Sequence, residues 1–324
     1  MKRILAILLA LVLTVGCLGA CGKEEQNSSP AETQPPETVQ TEPPLEAQWM
    51  TFPEDRELTA QQYFVYDCEK GAFSTISGAA DERIYPASVT KLFTAYVALL
   101  FLDPNDSVTA SADVLNYVVY GSSVAEIKEG DVLTVAELVE AMLLPSGNDA
   151  AYILAAEAGR VIDENPWEDA GAAISSFVAE MNSQAKLLGL TNTHFANPDG
   201  IHSDDHYTCF ADGAMIGLLA MEDPLIMKLV AVSRDAKNLS SGTKEWKNTN
   251  ALIDPDSQYY CPYAVGLKTG QTPMAGSCLL SAFECRGRTL VIGVFGCPEE
   301  EDRFEDTLQL FNETMEVQIK EPAA

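Results

Sequence analysis

Short apolar runs bounded by turn residues lie near both ends of the globular part of this chain, a pattern that favours β-strands. A turn at residues 69–71 separates the first two strands, and Arg286-Gly287 separates the last two as the short loop of a hairpin. The strands predicted in this way span residues 63–66, 73–76, 264–268, 277–284 and 289–296.

Between these strands the apolar residues recur at helical spacing. Pro86 suits the first turn of a helix. The apolar residues Leu92, Phe93, Tyr96, Val97 and Leu100 would bury one side of it. Thr134 and Glu137 have the spacing of a capping box, which should open a helix that runs to Leu144, before Pro145 and Gly147 end it.

Two more helices, over residues 150–159 and 174–188, precede a polar loop over residues 191–207. The final stretch again has helical spacing and should cover one face of the C-terminal sheet; its apolar residues are Phe304, Leu308, Phe311 and Met315. Strands at both ends around a helical middle indicate an α+β fold: an antiparallel sheet flanked by helices, with a mostly helical subdomain. We expect the N-terminal strands to join the C-terminal sheet.

The N-terminus has the pattern of an export signal. Lys2 and Arg3 precede an apolar run over residues 4–18, which is shorter than the roughly 20 residues needed to span a bilayer. Small residues before Cys21 resemble the lipobox of bacterial lipoproteins, in which that cysteine carries the lipid anchor; an ordinary signal peptide is the alternative. Residues 1–20 are therefore assigned to the signal peptide and residues 21–48, rich in Pro and Glu, to a disordered tether.

Composition narrows the choice of partners. The 324-residue chain carries a formal net charge of −28, which disfavours a nucleic-acid partner and electrostatic attachment to an anionic membrane. The carboxylates are expected to form a solvated outer surface.

Six cysteines follow the export signal, and their even number permits disulfides without establishing them. With a two-residue hairpin loop, Cys278 would face Phe295, and Cys297 would lie diagonally from Cys278 on the same side of the sheet. Diagonal partners are about 7–8 Å apart between Cα atoms, at or beyond the usual disulfide limit of roughly 6.8 Å. The spacing contains no Cys-x-x-Cys, so zinc or redox chemistry is not expected.

The candidate chemistry begins with Ser88 and Lys91, a hydroxyl and an amine three residues apart at the predicted helix start. Residues at this spacing share a helix face, so the Lys91 amine can reach the Ser88 hydroxyl and act as its base. The same Ser-x-x-Lys spacing occurs at Ser183 and at Ser241, so context has to distinguish the three.

Two further motifs occur once each. Ser146-Gly147-Asn148 offers a hydroxyl that can relay a proton and an amide that can bind a peptide, although the same residue types favour a helix N-cap. Lys268-Thr269-Gly270 lies on a predicted strand and could hold a carboxylate. The alternative there is an exposed strand end with a glycine bulge.

Together and in this order, the three motifs resemble the serine acyltransferases of the penicillin-binding protein and β-lactamase superfamily. The residues around them, such as Pro86-Ala87 before Ser88 and Leu144-Pro145 before Ser146, are similar to those of the low-molecular-mass D-alanyl-D-alanine carboxypeptidases. So is the run over residues 188–195. The resemblance implies a DD-peptidase catalytic domain over residues 49–318, followed by a short tail at 319–324.

The resemblance also implies catalytic roles. Ser88 would be the nucleophile and Lys91 would be its neutral base. Burial and the positive charge of Lys268 would lower the pKa of the Lys91 amine. Ser146 would pass the proton to the leaving D-alanine, and Asn148 would hold the peptide of the substrate.

The remaining site residues bind the substrate in this interpretation. Lys268 and Thr269 would bind its terminal carboxylate, and Gly270 would let its backbone come close. The oxyanion would meet the backbone N–H groups of Ser88 and Gln271, while Arg303 would assist carboxylate binding.

The same resemblance implies no cofactor and no metal. The partners expected are a peptidoglycan stem peptide that ends in D-Ala-D-Ala, β-lactam antibiotics as covalent inhibitors, and the membrane through the lipid on Cys21. The enzyme would act on the outer face of the cytoplasmic membrane of a Gram-positive-like cell. A DD-endopeptidase or transpeptidase, a β-lactamase-like hydrolase, and a noncatalytic cell-wall-binding lipoprotein are the alternatives.

Two departures from the family qualify these expectations. Many members continue into a second, β-rich domain and a membrane-binding helix, whereas this chain stops soon after Met315, so Cys21 would supply the anchor. The chain has Ser-Gly-Asn where class A β-lactamases have Ser-Asp-Asn, and it has no convincing Glu-x-x-Leu-Asn run. Slow clearance of antibiotic acyl-enzymes is therefore expected.

The three histidines are interpreted as loop residues. His202 and His206 flank two aspartates, a composition that could bind a metal, but the segment contains Pro198 and Gly200 and does not predict a helix that would align them.

Overall fold

The computed structural model describes residues 56–165 and 167–315 of the chain. The signal peptide at 1–20, the lipobox cysteine Cys21, the tether at 21–48 and the tail at 319–324 lie outside the described residues. Within the described part, no helix is both long and apolar enough to cross a bilayer.

The main sheet has five strands in the order β2-β1-β11-β10-β9, and every neighbouring pair is antiparallel. The pairing of β1 with β11 confirms that the N-terminal strands join the C-terminal sheet. Three further two-stranded pairs, β3 with β6, β4 with β5 and β7 with β8, were not predicted. The strands are β1 (Gln62–Asp67), β2 (Ala72–Ile76), β3 (Arg83–Ile84), β4 (Ser107–Thr109), β5 (Val132–Thr134), β6 (Thr208–Cys209), β7 (Arg234–Leu239), β8 (Gly242–Lys247), β9 (Ala264–Thr272), β10 (Gly276–Cys285) and β11 (Arg288–Cys297).

Helices make up most of the region between β2 and β9, as the apolar spacing predicts. Short 3₁₀ turns at Ala87–Val89 and Ala251–Ile253 accompany them. The helices are α1 (Thr90–Phe101), α2 (Ala112–Leu115), α3 (Val135–Leu143), α4 (Asn148–Ile162), α5 (Ala170–Leu187), α6 (Phe210–Glu222), α7 (Pro224–Val230) and α8 (Asp302–Met315). The α+β architecture is therefore confirmed.

The sheet has helices on both faces. On one face α8 packs against β10 and β11, and Phe311 stacks on Phe283 with the ring centroids 4.5 Å apart. On the other face α6 packs against β11 and connects the sheet to the helical region. This layering encloses two apolar clusters, one on each side of the sheet.

Helix α1 is buried nearly all round, whereas the sequence predicted one buried side. It contacts α3, α4, α5 and α6, so that even the polar residues Thr90, Lys91 and Thr94 are buried. The helix that follows the candidate nucleophile thus lies in the centre of the helical region, where its polar side chains must find partners inside the protein.

Two local signals in the sequence are confirmed. Thr134 caps α3 in a capping box with Glu137, each side chain accepting from the backbone N–H of the other residue. Arg286 and Gly287, with φ of 53° and 71°, form the two-residue loop between β10 and β11. Left-handed φ at both positions is what the right-handed twist of a tight hairpin requires.

The predicted relation between Cys278 and Cys297 is wrong. A register shift between Ser277 and Leu279 places Cys297 opposite Ser277, and the two cysteines belong to the apolar clusters on opposite faces of the sheet. The left-handed Gly296, with φ of 73°, accommodates the extra residue. No disulfide joins the six cysteines among the described residues, which are Cys68, Cys209, Cys261, Cys278, Cys285 and Cys297.

Candidate active site

The site is built around the junction between the 3₁₀ turn and α1. Pro86, with φ of −75°, precedes the turn, and Ala87 takes a left-handed φ of 47°. Lys91 lies one turn after Ser88, and its Nζ is 2.8 Å from the Ser88 Oγ. The predicted i, i+3 contact between the Ser88 hydroxyl and the Lys91 amine is present.

A loop outside the three motifs completes this contact. The backbone carbonyl of Asp199 accepts from Lys91 Nζ at 2.6 Å and from Ser88 Oγ at 3.4 Å. The next residue, Gly200, has φ of 85°, and a Cβ there would lie 1.9 Å from the Ala87 carbonyl oxygen. Only glycine can therefore bring this loop against the backbone of the nucleophile.

Burial lowers the pKa of Lys91 from 10.5 to about 8, although the negative charges of Asp199 and Asp149 act to raise it. The amine is completely buried, which is the main cause of the shift. The pKa of Lys268 is lowered well below its ordinary value by burial, and the positive charges of Lys91 and Arg303 lower it further. The environment of the site thus favours the neutral form of both amines.

Ser146, Gly147 and Asn148 lie where α3 gives way to α4. Gly147 is the N-cap of α4 and makes no side-chain cap bond, so the alternative that Ser146 or Asn148 caps the helix is wrong. Ser146 is buried with a left-handed φ of 62°, an uncommon conformation for serine that is typical of functional sites. The buried Asn148 Oδ1 has no hydrogen-bond partner among the described residues, which leaves an acceptor for a ligand.

The loop beside Asn148 is held by Asp149, a residue that the sequence analysis did not single out. Its carboxylate accepts from the backbone N–H groups of Ala125 and Ile127, at 2.8 and 3.0 Å. The Ser123 carbonyl of the same loop accepts from the Asn148 backbone N–H at 2.9 Å. Asp149 therefore positions the loop that forms one wall of the cleft.

Lys268 and Thr269 lie in the middle of β9, paired with Leu280 and Leu279, and both are buried. The alternative of an exposed strand end is therefore wrong. Lys268 Nζ donates to Thr249 Oγ1 at 3.2 Å, and the hydroxyls of Thr249 and Thr269 are 2.6 Å apart.

Thr249 also links the two halves of the site. Its backbone N–H donates to the carbonyl of Leu144 at 3.1 Å, which ties the segment before Ser146 to the neighbourhood of Lys268. Sequence reasoning missed Thr249 because it belongs to no motif.

Gly270 brings β9 against the nucleophile segment itself. A Cβ on Gly270 would lie 2.8 Å from the Pro86 carbonyl oxygen and 3.0 Å from the Ser88 backbone nitrogen. The expected role was to admit a substrate backbone, but the close approach seen is between two segments of the protein. It places Gln271, which is exposed, beside Ser88.

Arg303, on α8, is buried, and its Nη1 donates to the Gly270 carbonyl at 3.4 Å while Nη2 pairs with Glu300. These contacts support the strand that carries Lys268. The structure gives no direct sign of the carboxylate contact expected from the sequence.

An open cleft of about 750 Å³ lies over these groups. Among the residues that line it are Ser88, Asn148, Gln271, Ile201 and Tyr120. Ser88 and Asn148, from two of the motifs, thus line the same cleft as Gln271, the residue that follows Lys268-Thr269-Gly270.

The two other Ser-x-x-Lys tetrads lie elsewhere. Ser183 and Lys186 are exposed on α5. Ser241 donates to Asp131 at 2.6 Å, and Lys244 pairs with Glu126 at 3.5 Å. Only at Ser88 does the amine reach the hydroxyl.

The histidines occur in the predicted loop. His206 is buried beside α1, where its Nδ1 accepts from the Ala196 N–H at 3.2 Å and its Nε2 is 2.7 Å from Thr90 Oγ1. Burial lowers the pKa of His206 to about 3, so the ring is neutral and donates through Nε2. Within residues 56–165 and 167–315, no group of three or more His, Cys, Asp or Glu side chains is placed to hold a metal.

Comparison with known proteins identifies the family. A sequence model of the D-alanyl-D-alanine carboxypeptidase family matches residues 49–298. The chain is 33% identical to a D-alanyl-D-alanine carboxypeptidase of Streptomyces sp. strain K15 over 257 residues, which are 76% of this chain and 84% of that one. It is 30% identical to the carboxypeptidase DacF of Bacillus subtilis over 230 residues, or 69% of this chain and 54% of the relative.

The fold agrees with a solved relative. The crystal structure of the Streptomyces K15 DD-transpeptidase superposes with a TM-score of 0.72 at 30% identity, covering 81% of this chain and 99% of that one. The match thus spans most of the Streptomyces relative but only about half the length of the Bacillus relative. The chain belongs to the D-alanyl-D-alanine carboxypeptidase family of serine peptidases.

Proposed function

We propose that this protein is a serine-type D-Ala-D-Ala carboxypeptidase that removes the terminal D-alanine of a peptidoglycan stem peptide through an acyl-enzyme on Ser88. The observation that carries the proposal is the 2.8 Å contact between Lys91 Nζ and Ser88 Oγ, with Lys91 completely buried. Family membership supports the reaction, and this geometry supports the residues assigned to it.

In the first half of the reaction Ser88 Oγ attacks the carbonyl carbon of the scissile D-Ala-D-Ala bond. The neutral Lys91 amine takes the hydroxyl proton as the new C–O bond forms. With a pKa of about 8, Lys91 is neutral in a useful fraction of molecules near neutral pH, and general-base help of this kind is typically worth about 10²–10⁴ in rate.

Collapse of the tetrahedral intermediate breaks the C–N bond and releases D-alanine. The leaving nitrogen needs a proton, and we assign its delivery to Ser146, which is buried at the α3–α4 junction. Water then attacks the Ser88 ester, and Lys91 again takes and returns the proton. The net result is hydrolysis of one peptide bond.

Negative charge on the carbonyl oxygen is met by the backbone N–H groups of Ser88 and Gln271. The close approach of Gly270 to the Ser88 nitrogen, which a Cβ on Gly270 would contact at 3.0 Å, supports this assignment. Each such donor is typically worth about 3 kcal/mol of activation free energy.

The terminal carboxylate of the substrate is assigned to Lys268 and Thr269. Among the residues that the structure describes, the partners of the buried Lys268 amine are hydroxyl and carbonyl groups and not a carboxylate. A substrate carboxylate would restore the charged form of the amine, because an opposite charge raises the pKa of a buried lysine. Arg303 supports this step by holding the Gly270 carbonyl, and its direct contact with the carboxylate remains a prediction.

Asn148 is assigned to the substrate peptide because its unpaired Oδ1 can accept from an amide N–H. β-Lactams present a carbonyl and a carboxylate comparable to those of D-Ala-D-Ala. We therefore expect them to acylate Ser88 and to clear slowly.

A transpeptidase is the second candidate function, because the structural relative from Streptomyces K15 is named a DD-transpeptidase. The chemistry up to the acyl-enzyme is shared, and only the acceptor differs. Product analysis with cross-linked muropeptides and with an added amine acceptor separates hydrolysis, endopeptidase action and transfer.

We further propose that the enzyme is exported and anchored through a lipid on Cys21, with residues 49–318 as the catalytic domain. The export pattern and lipobox of the sequence support this proposal. Replacement of Cys21 by Ser should abolish lipid incorporation and release the protein from the membrane fraction. Retention of a lipid on the variant would exclude Cys21 as the anchor.

The test of the proposed function is release of D-alanine from an acyl-D-Ala-D-Ala peptide by the full chain. Ser88→Ala should abolish it, whereas Ser183→Ala, which alters the same Ser-x-x-Lys spacing on the surface of α5, should leave it unchanged. If the wild type releases no D-alanine and takes no penicillin label, a noncatalytic binding role is the better account.

A further inference from the structure

Asp199 is a buried acidic residue beside the proposed nucleophile and base, and it belongs to none of the three motifs. Only 1% of its surface is exposed. Its backbone carbonyl accepts from Lys91 and Ser88, whereas its side chain makes a single hydrogen bond, from the Ile201 N–H to Oδ1 at 3.1 Å. Oδ2 is buried with no hydrogen-bond partner among the described residues.

We propose that the Asp199 carboxylate sets the pH range in which Ser88 is acylated, acting through the Lys91 amine. The inference rests on the proposed function, since it concerns the base of that reaction. Because Asp199 is assigned an effect on Lys91 and not on the substrate, it is a positioning residue.

The charges that face Lys91 come from four parts of the fold. Asp199 follows α5, Asp149 lies on α4, Lys268 lies on β9, and His206 precedes β6. His206 is neutral because burial lowers its pKa to about 3, and Lys268 is itself depressed by burial.

The two aspartates differ in how their charge is compensated. The Asp149 carboxylate accepts from the backbone N–H groups of Ala125, Ile127 and Ala150. Asp199 has fewer such donors: burial raises the pKa of its carboxyl, and the positive charge of Lys91 is the largest effect that lowers it.

This arrangement couples the two groups in a defined direction. Burial favours the neutral amine of Lys91, and an ionised Asp199 favours the ammonium form, so the pKa of about 8 reflects both effects. Loss of the Asp199 charge should remove one of the two negative charges that oppose burial, and Lys91 should then become a neutral base at lower pH.

The experiment measures the rate of Ser88 acylation by a fluorescent penicillin over a pH series, with the full chain of wild type and of Asp199→Asn. The rate of the wild type should rise as Lys91 loses its proton. In Asp199→Asn that rise should move to lower pH by about one unit, within the range typical of a nearby opposite charge. When each rate is divided by the plateau rate of the same protein, the variant should react up to about tenfold faster than the wild type at pH values below the rise.

Three variants separate this effect from a structural one. Asp199→Glu keeps the charge and should return the rise towards its wild-type position, and Asp199→Ser should behave like Asp199→Asn. Asp131→Asn alters an equally buried aspartate that holds Ser240 and Ser241 instead of Lys91, and should leave the pH profile where it was.

Three results would overturn the inference and leave the proposed function intact. They are a rate that rises at the wild-type pH in both Asp199→Asn and Asp199→Ser, a rate that rises at higher pH, and a rate that is lowered equally at every pH. A wild type that takes no label would instead overturn the proposed function, and this inference with it.

Discussion

Lys91 and Lys268 are two buried amines in one site, and each has neutral partners in the free protein. Lys91 bonds to the Ser88 hydroxyl and the Asp199 carbonyl, and Lys268 to the Thr249 hydroxyl and the Thr269 carbonyl. In the proposed mechanism Lys91 has to be neutral to act as a base, whereas Lys268 would gain its charge when the substrate carboxylate binds. The same residue type would then serve two roles because the substrate supplies a negative charge to only one of the amines.

Thr249 gives the first prediction at the scale of single residues. Thr249→Val keeps the shape but removes the acceptor for Lys268, and hydrogen bonds to charged groups are worth about 1.5–3 kcal/mol. We expect KM for a D-Ala-D-Ala peptide to rise about tenfold. The kcat value should change less, because the variant leaves Ser88 and Lys91 untouched.

Thr249→Ser retains the hydroxyl and is the matched control, so its KM should stay near that of the wild type. If Thr249→Val binds the peptide as well as the wild type does, the role of Thr249 in holding Lys268 is refuted.

At the scale of elements, two glycines allow the site to form. Gly200 brings its loop, and Gly270 brings β9, into contact with the backbone of Pro86, Ala87 and Ser88. Neither contact can be made with a side chain present, since a Cβ would lie within 3 Å of backbone atoms at both positions. Strand, loop and 3₁₀ turn are thus fixed against one another by close backbone packing.

Gly200→Ala tests this packing. Its Cβ would lie 1.9 Å from the Ala87 carbonyl oxygen, so the nucleophile segment has to shift. A displacement of about 1 Å can cost roughly 10² in rate, and we expect acylation of Ser88 to slow by that order.

Gly189→Ala is the control, because Gly189 has a similar φ of 79° but no atom within 4 Å of the added Cβ. It should lose only about 1–2 kcal/mol of unfolding free energy from backbone strain and should keep the acylation rate. Equal acylation rates in the two alanine variants would show that the contact at Gly200 does not position Ser88.

The local elements were largely predictable from sequence, because the signals that specify them are local. The capping box at Thr134 and the loop at Arg286-Gly287 act within a few residues, and both are present. The register shift near Ser277 and the three short strand pairs were missed, since they depend on pairings fixed only when distant segments meet.

The candidate site shows the same difference between residues in local motifs and residues whose role depends on distant contacts. Ser88, Lys91, Ser146, Asn148 and Lys268 lie in compact motifs and could be identified from the sequence. Asp199 and Thr249 escaped because each contributes partly through backbone groups, which any residue type possesses. The preceding Pro198 and the following Gly200 hinted at a special loop but did not reveal its partner.

At the scale of the whole molecule, the free energy of unfolding should decrease as the solution becomes more acidic, because of buried titratable groups. The neutral His206 has a pKa lowered to about 3, so below its ordinary pKa of 6.5 the unfolded state binds a proton that the folded state does not. Its contribution is complete above pH 6.5 and is lost as the pH falls towards 3, by up to about 1.4 kcal/mol per pH unit.

Asp67 causes a second loss of stability, at lower pH. Burial acts to raise its pKa, but the bonds from Arg288 and Lys70 outweigh burial and lower the pKa from 3.8 to about 2. This stabilisation is present above pH 3.8 and is lost as the pH falls through 2.

Denaturant unfolding at a series of pH values measures both steps. His206→Gln retains a donor and an acceptor without titrating, so its stability should fall less steeply than that of the wild type between pH 6 and pH 4. An identical slope in the two proteins would show that His206 does not contribute to this acid sensitivity.

The central claim is that Ser88 is the residue that forms the acyl-enzyme, and peptide mapping of the full chain after reaction with penicillin tests it most directly. We predict one covalent adduct, on the peptide that contains Ser88, and none in Ser88→Ala. An adduct on Ser146, Ser183 or Ser241, or no adduct on the folded wild-type protein, would contradict the account.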